Sequence, residues 1–322
     1  ETGGDTEAIA ISADGEYIAV GSQDDKVYLF DKDSSTPLWS YTTGDHVKSV
    51  SISVDGEYIA AGSRDDKVYL FDKDSSTPLW SYTTGDYVYS VSISADGEYI
   101  VVGSFDDKVY LFDKDSSTPL WSYTTGSNVW EVAISADGEY IAAGSGDDKV
   151  YLFDKDSNTP LWSYTTGDYV ESVSISSDGE YIVAGSLDNK VYLFDKESST
   201  PLWSYSTTEV DVVSVAISAD GEYIVVGDYA GKAYLFDKES SKPLWSYSTG
   251  GAGVYKVSIS ADGEYIAVGT DGTKGYLFDK GSSAPIWIYG AEGAVWSAIS
   301  ADGKYIGFGC EDDSVYLFKN SL

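Results

Sequence analysis

One short run in this 322-residue chain has residue types that suggest metal chemistry. The run Asp31-Lys-Asp33-Ser-Ser places oxygen-bearing side chains at alternate positions, as a calcium loop does. A calcium loop also needs Gly at its sixth position and Glu at its twelfth, where this chain has Thr36 and Thr42. We therefore interpret the run as a hairpin loop whose Asp and Ser side chains bond the nearby backbone, and we predict no metal site.

Catalysis is limited by how little histidine and cysteine the chain contains. With one His (His46) and one Cys (Cys310), it cannot build a site of two imidazoles, an internal disulfide or a cysteine zinc cluster. Cys310 stands where the other repeats carry Ser or Thr, which predicts a small buried residue. A Ser-His-Asp triad would depend on His46, and no Ser lies in a Gly-x-Ser-x-Gly motif. We predict that the chain is not an enzyme and binds no cofactor.

The charge of the chain argues against two classes of partner. There are 20 Lys and Arg against 53 Asp and Glu, a net charge of −33. Such a surface repels phosphates, so we expect no nucleic-acid partner and no insertion into a membrane. The opening Glu-Thr-Gly lacks Met, which we interpret as an expression scar or processed end of a larger chain. An extracellular or cell-surface location is the corresponding expectation.

The residues discussed above belong to a unit that recurs eight times. The string Asp-Gly-(Glu/Lys)-Tyr-Ile begins at Asp14, Asp55, Asp96, Asp137, Asp178, Asp220, Asp262 and Asp302. The copies are 40 to 42 residues apart. A period of this length with several short strands in each unit is the signature of a β-propeller.

The residue pattern within each unit predicts up to four short strands. In the second unit they are residues 47–53, 58–63, 67–72 and 79–83, rich in Tyr, Val, Ile, Phe and Trp and separated by Gly, Asp, Ser and Pro. We therefore predict an all-β fold in which residues 1–322 form one eight-bladed propeller of four-stranded antiparallel blades. The predicted blades are 5–43, 45–84, 86–125, 127–166, 168–207, 209–249, 251–289 and 291–322.

The eighth unit is expected to differ from the others at its outer edge. The fourth strand, with its Pro-Leu/Ile-Trp sequence, occurs seven times, and the chain stops after the third strand of the eighth copy. The eighth blade should therefore lack its outer strand and end near residues 316–318. An exposed strand edge is a known site for pairing with another chain. We predict a possible contact of this kind at blade 8.

The repeat resembles the blades of two families. The sequence SVSISADGEYIAVGSxDDKVYLFDKDSSTPLWSY is similar to a WD-repeat blade in its Ser-x-Asp-Gly turn, its Gly-Ser-x-Asp and its strand ending in Asp. The stretch Asp31 to Trp39 resembles the tryptophan-docking motif of quinoprotein (pyrroloquinoline-quinone, PQQ) propellers, which usually have eight blades. Gly44-Asp45 replaces the Gly-His pair of WD repeats, and Phe30 replaces the Trp of their Trp-Asp pair. Near-identical blades suggest a prokaryotic surface or secreted member.

The quinoprotein resemblance also implies an activity. A quinoprotein dehydrogenase would have a metal-anchored quinone and, in many members, a pair of adjacent cysteines. A chain with Cys310 alone has no such pair. The acidic residues also repeat from blade to blade and do not form a cluster in one blade. An enzyme of this type is therefore the most distant alternative.

The candidate binding site consists of the positions at which the repeats differ. These positions are the turn between the second and third strands and the start of the first strand, which lie at the same end of an antiparallel blade. We name this end the varied face, and the opposite end, with Asp55, Glu57, Asp72 and Asp74 and their repeats, the acidic face. The predicted ligand-binding residues are His46, Lys48, Arg64, Tyr87, Tyr89, Phe105, Asn128, Trp130, Tyr169, Tyr229, Tyr255 and Trp296.

The composition of the varied face indicates a recognition surface. Exposed aromatic clusters are typical of binding sites, whereas Phe308 replaces a strand residue and is expected in the core. The chain is thus predicted to be a non-enzymatic module that binds a glycan, a peptide or a protein. Lys48, Arg64 and His46 form a basic group that suggests an acidic sugar or peptide. The alternative is a structural spacer without a specific ligand, whose loops vary by drift.

Overall fold

The repeated turn and strand residues form a ring of small antiparallel sheets. The computed structural model describes residues 2–208 and 210–321. Within those ranges it contains strands and turns arranged in eight sheets, seven of four strands and one of three, which confirms the predicted fold class. Residues 1, 209 and 322, which the predicted boundaries include, lie outside the described residues.

The strands follow the repeat closely. Blades 1 to 4 contain β1 (Thr6–Ile11), β2 (Tyr17–Ser22), β3 (Lys26–Asp31), β4 (Trp39–Thr42); β5 (Val47–Ile52), β6 (Tyr58–Ser63), β7 (Lys67–Asp72), β8 (Trp80–Thr83); β9 (Val88–Ile93), β10 (Tyr99–Ser104), β11 (Lys108–Asp113), β12 (Trp121–Thr124); β13 (Val129–Ile134), β14 (Tyr140–Ser145), β15 (Lys149–Asp154) and β16 (Trp162–Thr165). Blades 5 to 8 contain β17 (Val170–Ile175), β18 (Tyr181–Ser186), β19 (Lys190–Asp195), β20 (Trp203–Ser206); β21 (Val212–Ile217), β22 (Tyr223–Asp228), β23 (Lys232–Asp237), β24 (Trp245–Ser248); β25 (Val254–Ile259), β26 (Tyr265–Thr270), β27 (Lys274–Asp279), β28 (Trp287–Gly290); β29 (Val295–Ile299), β30 (Tyr305–Cys310) and β31 (Val315–Lys319).

Hydrogen bonds between the turns close the ring. In each blade the second residue after the first strand donates its amide to the carbonyl at the same position in the next blade, as Ala13 does to Val54 at 3.2 Å. The series ends with the amide of Ala301 donating to the carbonyl of Ala13 at 3.1 Å. Blade 8 therefore lies against blade 1, and the first strands of all blades surround a central channel.

The fourth strand of each four-stranded blade packs against the following blade. The Nε1 of Trp39 donates to the carbonyl of Lys73 at 2.7 Å, and its ring lies 5.2 Å from that of Phe71. Trp80, Trp121, Trp162, Trp203 and Trp245 form the equivalent bond with the next blade. Full burial of a large side chain contributes up to about 3 kcal/mol, and these half-buried rings contribute part of that to the cohesion between blades.

The Asp-Gly turns also fix the spacing between blades. Gly56 has a φ of 74°, a left-handed conformation that glycine adopts without strain. A Cβ on Gly56 would lie 2.6 Å from Cδ2 of Tyr17 in the preceding blade. The turn therefore requires glycine for its conformation and for the close approach of the neighbouring ring.

Blade 8 has the open edge that the sequence predicts. It contains β29, β30 and β31, and within the described residues the sheet ends at β31. Phe308 and Cys310 in β30 are both fully buried, which confirms their predicted place in the core.

The described residues include no helix of the length and hydropathy that crossing a membrane requires.

The loop that resembles a calcium site forms the local bonds expected of a hairpin loop. The Oδ1 of Asp31 accepts the amide of Asp33 at 2.8 Å, and the Oγ of Ser34 accepts the amide of Thr36 at 3.1 Å. Equivalent bonds recur in the same loop of the other complete blades, for example from the amide of Asp74 to Asp72 at 2.8 Å. The motif is thus part of the scaffold.

Candidate functional site

The two variable positions of each blade are joined by a backbone hydrogen bond. The amide of Arg64 donates to the carbonyl of His46 at 2.9 Å, and the amide of Phe105 donates to the carbonyl of Tyr87 at 2.9 Å. The amide of Tyr229 donates to the carbonyl of Asp211 at 3.1 Å in the same way. The turn and the start of the first strand therefore lie together at one end of the ring, the varied face.

Half of the predicted residues surround the mouth of the channel. The channel encloses a cavity of about 630 Å³ that all eight first strands line. Six of the predicted residues contribute to its wall: Lys48, Tyr89, Trp130, Tyr229, Tyr255 and Trp296. The side chains come from six different blades, so closure of the ring brings them together.

The other predicted residues lie outside this cavity. Tyr87 and Tyr169 are 41% and 45% exposed on the varied face. Phe105 supports the cavity wall from behind, because its ring stacks on Tyr89. His46, Arg64 and Asn128 are half-buried in the loops around the mouth.

Three aromatic rings form a packed cluster on one side of the mouth. The rings of Tyr89 and Phe105 stack with centroids 4.8 Å apart, and Trp130 meets them edge-on at 5.1 and 4.9 Å. The Nε1 of Trp130 is buried and lacks a hydrogen-bond partner among the described residues. This atom lies beside Gly146, where a Cβ would come within 3.1 Å of it. A buried donor without a partner favours a ligand or water acceptor at this place.

A second aromatic pair lies across the channel. The rings of Tyr255 and Trp296 are 5.7 Å apart and belong to neighbouring blades. Tyr255 and Tyr229 are 36% and 46% exposed. The mouth is therefore lined by aromatic rings on both sides, and those of Tyr229 and Tyr255 remain exposed.

Two ion pairs lie among these rings. The Nζ of Lys48 lies 2.8 Å from Oε2 of Glu7 and 5.7 Å from the ring centroid of Tyr89. The Nζ of Lys256 lies 2.7 Å from Oε1 of Glu131, and this pair joins blades 4 and 7 across the channel. Since Lys48 is paired with a carboxylate, the basic group inferred from the sequence is largely neutralised on the cavity side.

The pKa of the Glu171 carboxyl in the channel wall is strongly raised. Burial in the channel wall raises the pKa of its carboxyl to about 7, and the nearby carboxylates of Glu131 and Asp211 add to the effect. Desolvation and like charge both disfavour the ionised form. The mouth of the channel therefore contains a carboxyl group that changes its charge near neutral pH.

Four charged residues line the cavity in addition to the residues predicted from the sequence. Glu7 and Glu171 occupy the same strand position as Lys48, Tyr89 and Trp130, so the repeat register would have included them. Glu131 and Lys256 lie one position further on, where most other blades have Ser. The replacement of Ser by a charged residue in these two blades could have identified them from the sequence. The ion pair between Glu131 and Lys256 explains why both replacements occur together.

A group of possible metal ligands lies near the mouth. Asp25, Asp45 and His46 place carboxylate oxygens and an imidazole nitrogen within 4.8 Å of one another. In blade 4, Asn128 stands at the position of His46. In the side-chain orientation that satisfies its hydrogen bonds, the amide nitrogen of Asn128 donates to Oδ1 of Asp107 at 3.2 Å. Asp107 is the counterpart of Asp25, so in blades 2 and 4 the residue at this variable position lies beside the same aspartate of the preceding blade.

Comparison with known proteins agrees with this architecture. Among solved structures, the computationally designed protein Ika8 is similar with a TM-score of 0.82 at 15% identity, covering 98% of this chain and 96% of that chain. At this identity the likeness concerns the fold alone. None of the curated proteins compared with the chain matches it.

A family match extends over most of the chain. Residues 3–137 and 106–259 match the family PQQ_2, described as "Outer membrane protein assembly factor BamB". These ranges contain six of the docking tryptophans that resemble the quinoprotein motif. The match thus supports the PQQ-like resemblance. The chain belongs to the BamB-like family of PQQ-type β-propellers.

Proposed function

We propose that this protein is a non-enzymatic binding module that receives part of a peptide, protein or glycan partner at the mouth of its channel. The observation that carries the proposal is the cavity of about 630 Å³ lined by Tyr89, Trp130, Tyr255 and Trp296 from four blades. A concave site with aromatic walls and a few polar groups is the usual form of a ligand site.

The charges at the mouth favour a partner that carries a cationic group. Glu7 and Glu131 each have a lysine partner, whereas Glu171 faces the further acidic groups Glu131 and Asp211. A cation beside Glu171 would relieve this repulsion and would also lie among aromatic faces that attract cations. A Lys or Arg side chain of a peptide, or an amino group of a glycan, fits this chemistry better than the acidic partner that the sequence suggested.

The family supports an interaction role. Its description names an assembly factor for outer membrane proteins, which is a role in assembling other proteins. On this basis we also propose that the chain acts at the cell envelope or outside the cell. A role as a structural spacer without a ligand is the competing hypothesis, and it predicts that no probe binds at the mouth.

The binding hypothesis is tested with arrays of peptides and glycans that include Lys- and Arg-rich members. The fluorescence of Trp130 and Trp296 provides a titration signal for each array member that binds. We expect Trp130→Ala and Tyr89→Ala to weaken binding by about 30-fold, the effect of removing a buried aromatic anchor of about 2 kcal/mol.

The matched control is Asp74→Asn on the acidic face, which should leave the affinity unchanged. If the two aromatic substitutions have no effect while the Asp74 substitution abolishes binding, the site is on the other face. If no array member binds, the spacer hypothesis is preferred.

The proposal that the chain is not an enzyme has a separate test. Mass spectrometry and absorbance of the purified protein would reveal a quinone, and a dehydrogenase assay with added quinone and calcium would reveal latent activity. Stoichiometric retention of a quinone or quinone-dependent turnover would contradict the proposal.

A further inference from the structure

The dipeptide Asp-Gly occurs nine times in the chain, and eight of the copies lie in the turn between the first and second strands of a blade. The ninth copy, Asp271-Gly272, lies between β26 and β27 of blade 7, on the varied face. An Asp-Gly dipeptide closes readily into a succinimide, because glycine has no side chain to hinder attack by its amide nitrogen. The nine copies therefore place the same reactive pair in two different surroundings.

In the eight repeated turns, the groups that would react are held by hydrogen bonds. The amide of Gly56 donates to the carbonyl of Ser53 at 2.9 Å. The Oδ1 of Asp55 accepts from the Oγ of Ser53 at 2.7 Å and from the amide of Glu57 at 3.0 Å. The same three bonds recur in the other seven copies. The amide and the carboxylate cannot approach each other without breaking them.

The turn of blade 7 has no equivalent of these bonds. In blade 2 the amide at the position of Gly272 donates to the Oγ of Ser63 at 3.1 Å. Blade 7 has Thr270 in place of Ser63, and the Oγ1 of Thr270 donates to the carbonyl of Lys274 at 2.8 Å. Within the described residues, the amide of Gly272 and the carboxylate of Asp271 have no hydrogen-bond partner.

Packing explains why glycine follows Asp271. A Cβ on Gly272 would lie 2.1 Å from the Cβ of Ala252 in the neighbouring loop, so another residue would displace that loop. The same loop contains Gly250 and Gly251, whose φ angles are 99° and 102° and where a Cβ would have no atom within 4 Å. Asp271 itself is exposed. The dipeptide therefore lies in a turn that solvent reaches, beside a loop rich in glycine.

We propose that Asp271 is a site of spontaneous covalent modification, at which the chain converts to isoaspartate through a succinimide. The amide nitrogen of Gly272 gives its proton to solvent and attacks Cγ of Asp271, which forms a C–N bond. The bond from Cγ to one carboxyl oxygen then breaks, and that oxygen leaves as water. Solvent water next adds to the main-chain carbonyl carbon of the imide and breaks its bond to nitrogen, so the main chain continues through Cγ. One water leaves and one is added, and no group is oxidised or reduced.

The modification would alter the channel mouth. A Cβ on Gly253 would lie 3.2 Å from Oδ2 of Asp271 and 3.3 Å from Cδ1 of Tyr229, which places these two side chains close together. Burial raises the pKa of the Tyr229 and Tyr255 hydroxyls, and the charge of Asp271 adds to the effect at both. Isoaspartate lengthens the main chain by a methylene and shortens the arm of the carboxylate, so the charge would move relative to both rings. This site is independent of whether a partner binds at the mouth.

The test follows the folded full-length chain during incubation at neutral pH and physiological temperature. Peptide mapping with labelling by an isoaspartyl methyltransferase and mass spectrometry measures isoaspartate at each of the nine Asp-Gly sites. We expect it to form at Asp271 at least about tenfold faster than at any repeated turn, since one retained hydrogen bond changes a rate by about this factor. Formation at Asp271 that is no faster than in the repeated turns would overturn the proposal.

Two comparisons separate the effect of the fold from that of the local sequence. Asp271→Glu keeps the charge, and Glu311 already occupies this position in blade 8. Glutamate would have to close a larger ring, so we expect the label at this site to disappear while the repeated turns keep their rates. In denaturant all nine sites should react at similar rates, because no turn retains its hydrogen bonds. If Asp271 still reacts fastest in denaturant, the local sequence determines the reaction and the proposal is wrong.

Discussion

Replacing Glu171 by Gln tests the electrostatics of the channel mouth. Gln has nearly the same shape as Glu but cannot ionise, so the substitution removes the charge and preserves the packing. The pKa of the Glu171 carboxyl is raised from an ordinary value of 4.5 to about 7 by burial and by the nearby Glu131 and Asp211. The folded protein therefore binds this proton more tightly than the unfolded chain does.

The direction of the pH effect follows from this difference. Below pH 4.5 the group is protonated in both states and does not change the free energy of unfolding. Between 4.5 and about 7 the unfolded chain loses the proton while the folded chain retains it, so stability decreases as the pH rises. At about 1.4 kcal/mol per pH unit, the loss is about 3 kcal/mol when the pH passes 7.

The assay compares denaturant unfolding of the wild type and Glu171→Gln at pH 5 and pH 8. We expect the variant to be more stable by about 3 kcal/mol at pH 8 and by less than about 1 kcal/mol at pH 5. The control is Glu197→Gln, an exposed residue in a loop of the acidic face, which should not change the pH dependence. Equal stability of the variant and the wild type at pH 8 would refute the reasoning.

Three further outcomes follow from the contacts between blades and from the buried thiol. Gly97→Ala, with a φ of 74° and a Cβ 2.5 Å from Cδ2 of Tyr58, should lower the free energy of unfolding by about 2–4 kcal/mol in denaturant titrations. Trp121→Phe removes the 2.7 Å bond to the carbonyl of Lys155 and should cost about 1–3 kcal/mol in the same assay. Cys310 is fully buried with its pKa raised to about 12, so a thiol reagent should label it only after unfolding, as mass spectrometry would show.

Much of the fold could be predicted because its signals are local. The turn that contains Gly56 occurs eight times, which indicates eight blades. The run that contains Pro78 and leads into the fourth strand occurs seven times, which indicates that one blade has three strands. The hairpin at Asp31 and the buried positions of Phe308 and Cys310 also followed from comparing equivalent positions in the repeat. Each of these features depends on residues that are near one another in the sequence.

The candidate site could be predicted only in part. The register of the repeats predicts that the variable residues lie at one end of the blades. The backbone hydrogen bond between the two variable positions, such as that from the amide of Phe105 to the carbonyl of Tyr87, agrees with this prediction. The register did not distinguish residues in the channel from those in the outer loops. Lys48 and Tyr169 are both at variable positions, yet only Lys48 faces the cavity. Whether these residues bind a ligand remains the prediction that the array experiment tests.

The sequence by itself determined the eight-bladed all-β architecture and its two faces, because strand alternation and turn chemistry act over a few residues. Only the tertiary structure decided which side chains meet across the ring. Glu131 and Lys256 are 125 residues apart, and they pair because closure of the ring places blades 4 and 7 around one narrow channel. The same closure buries Glu171 beside other carboxylates and sets Thr2 against blade 8, contacts that no local pattern specifies.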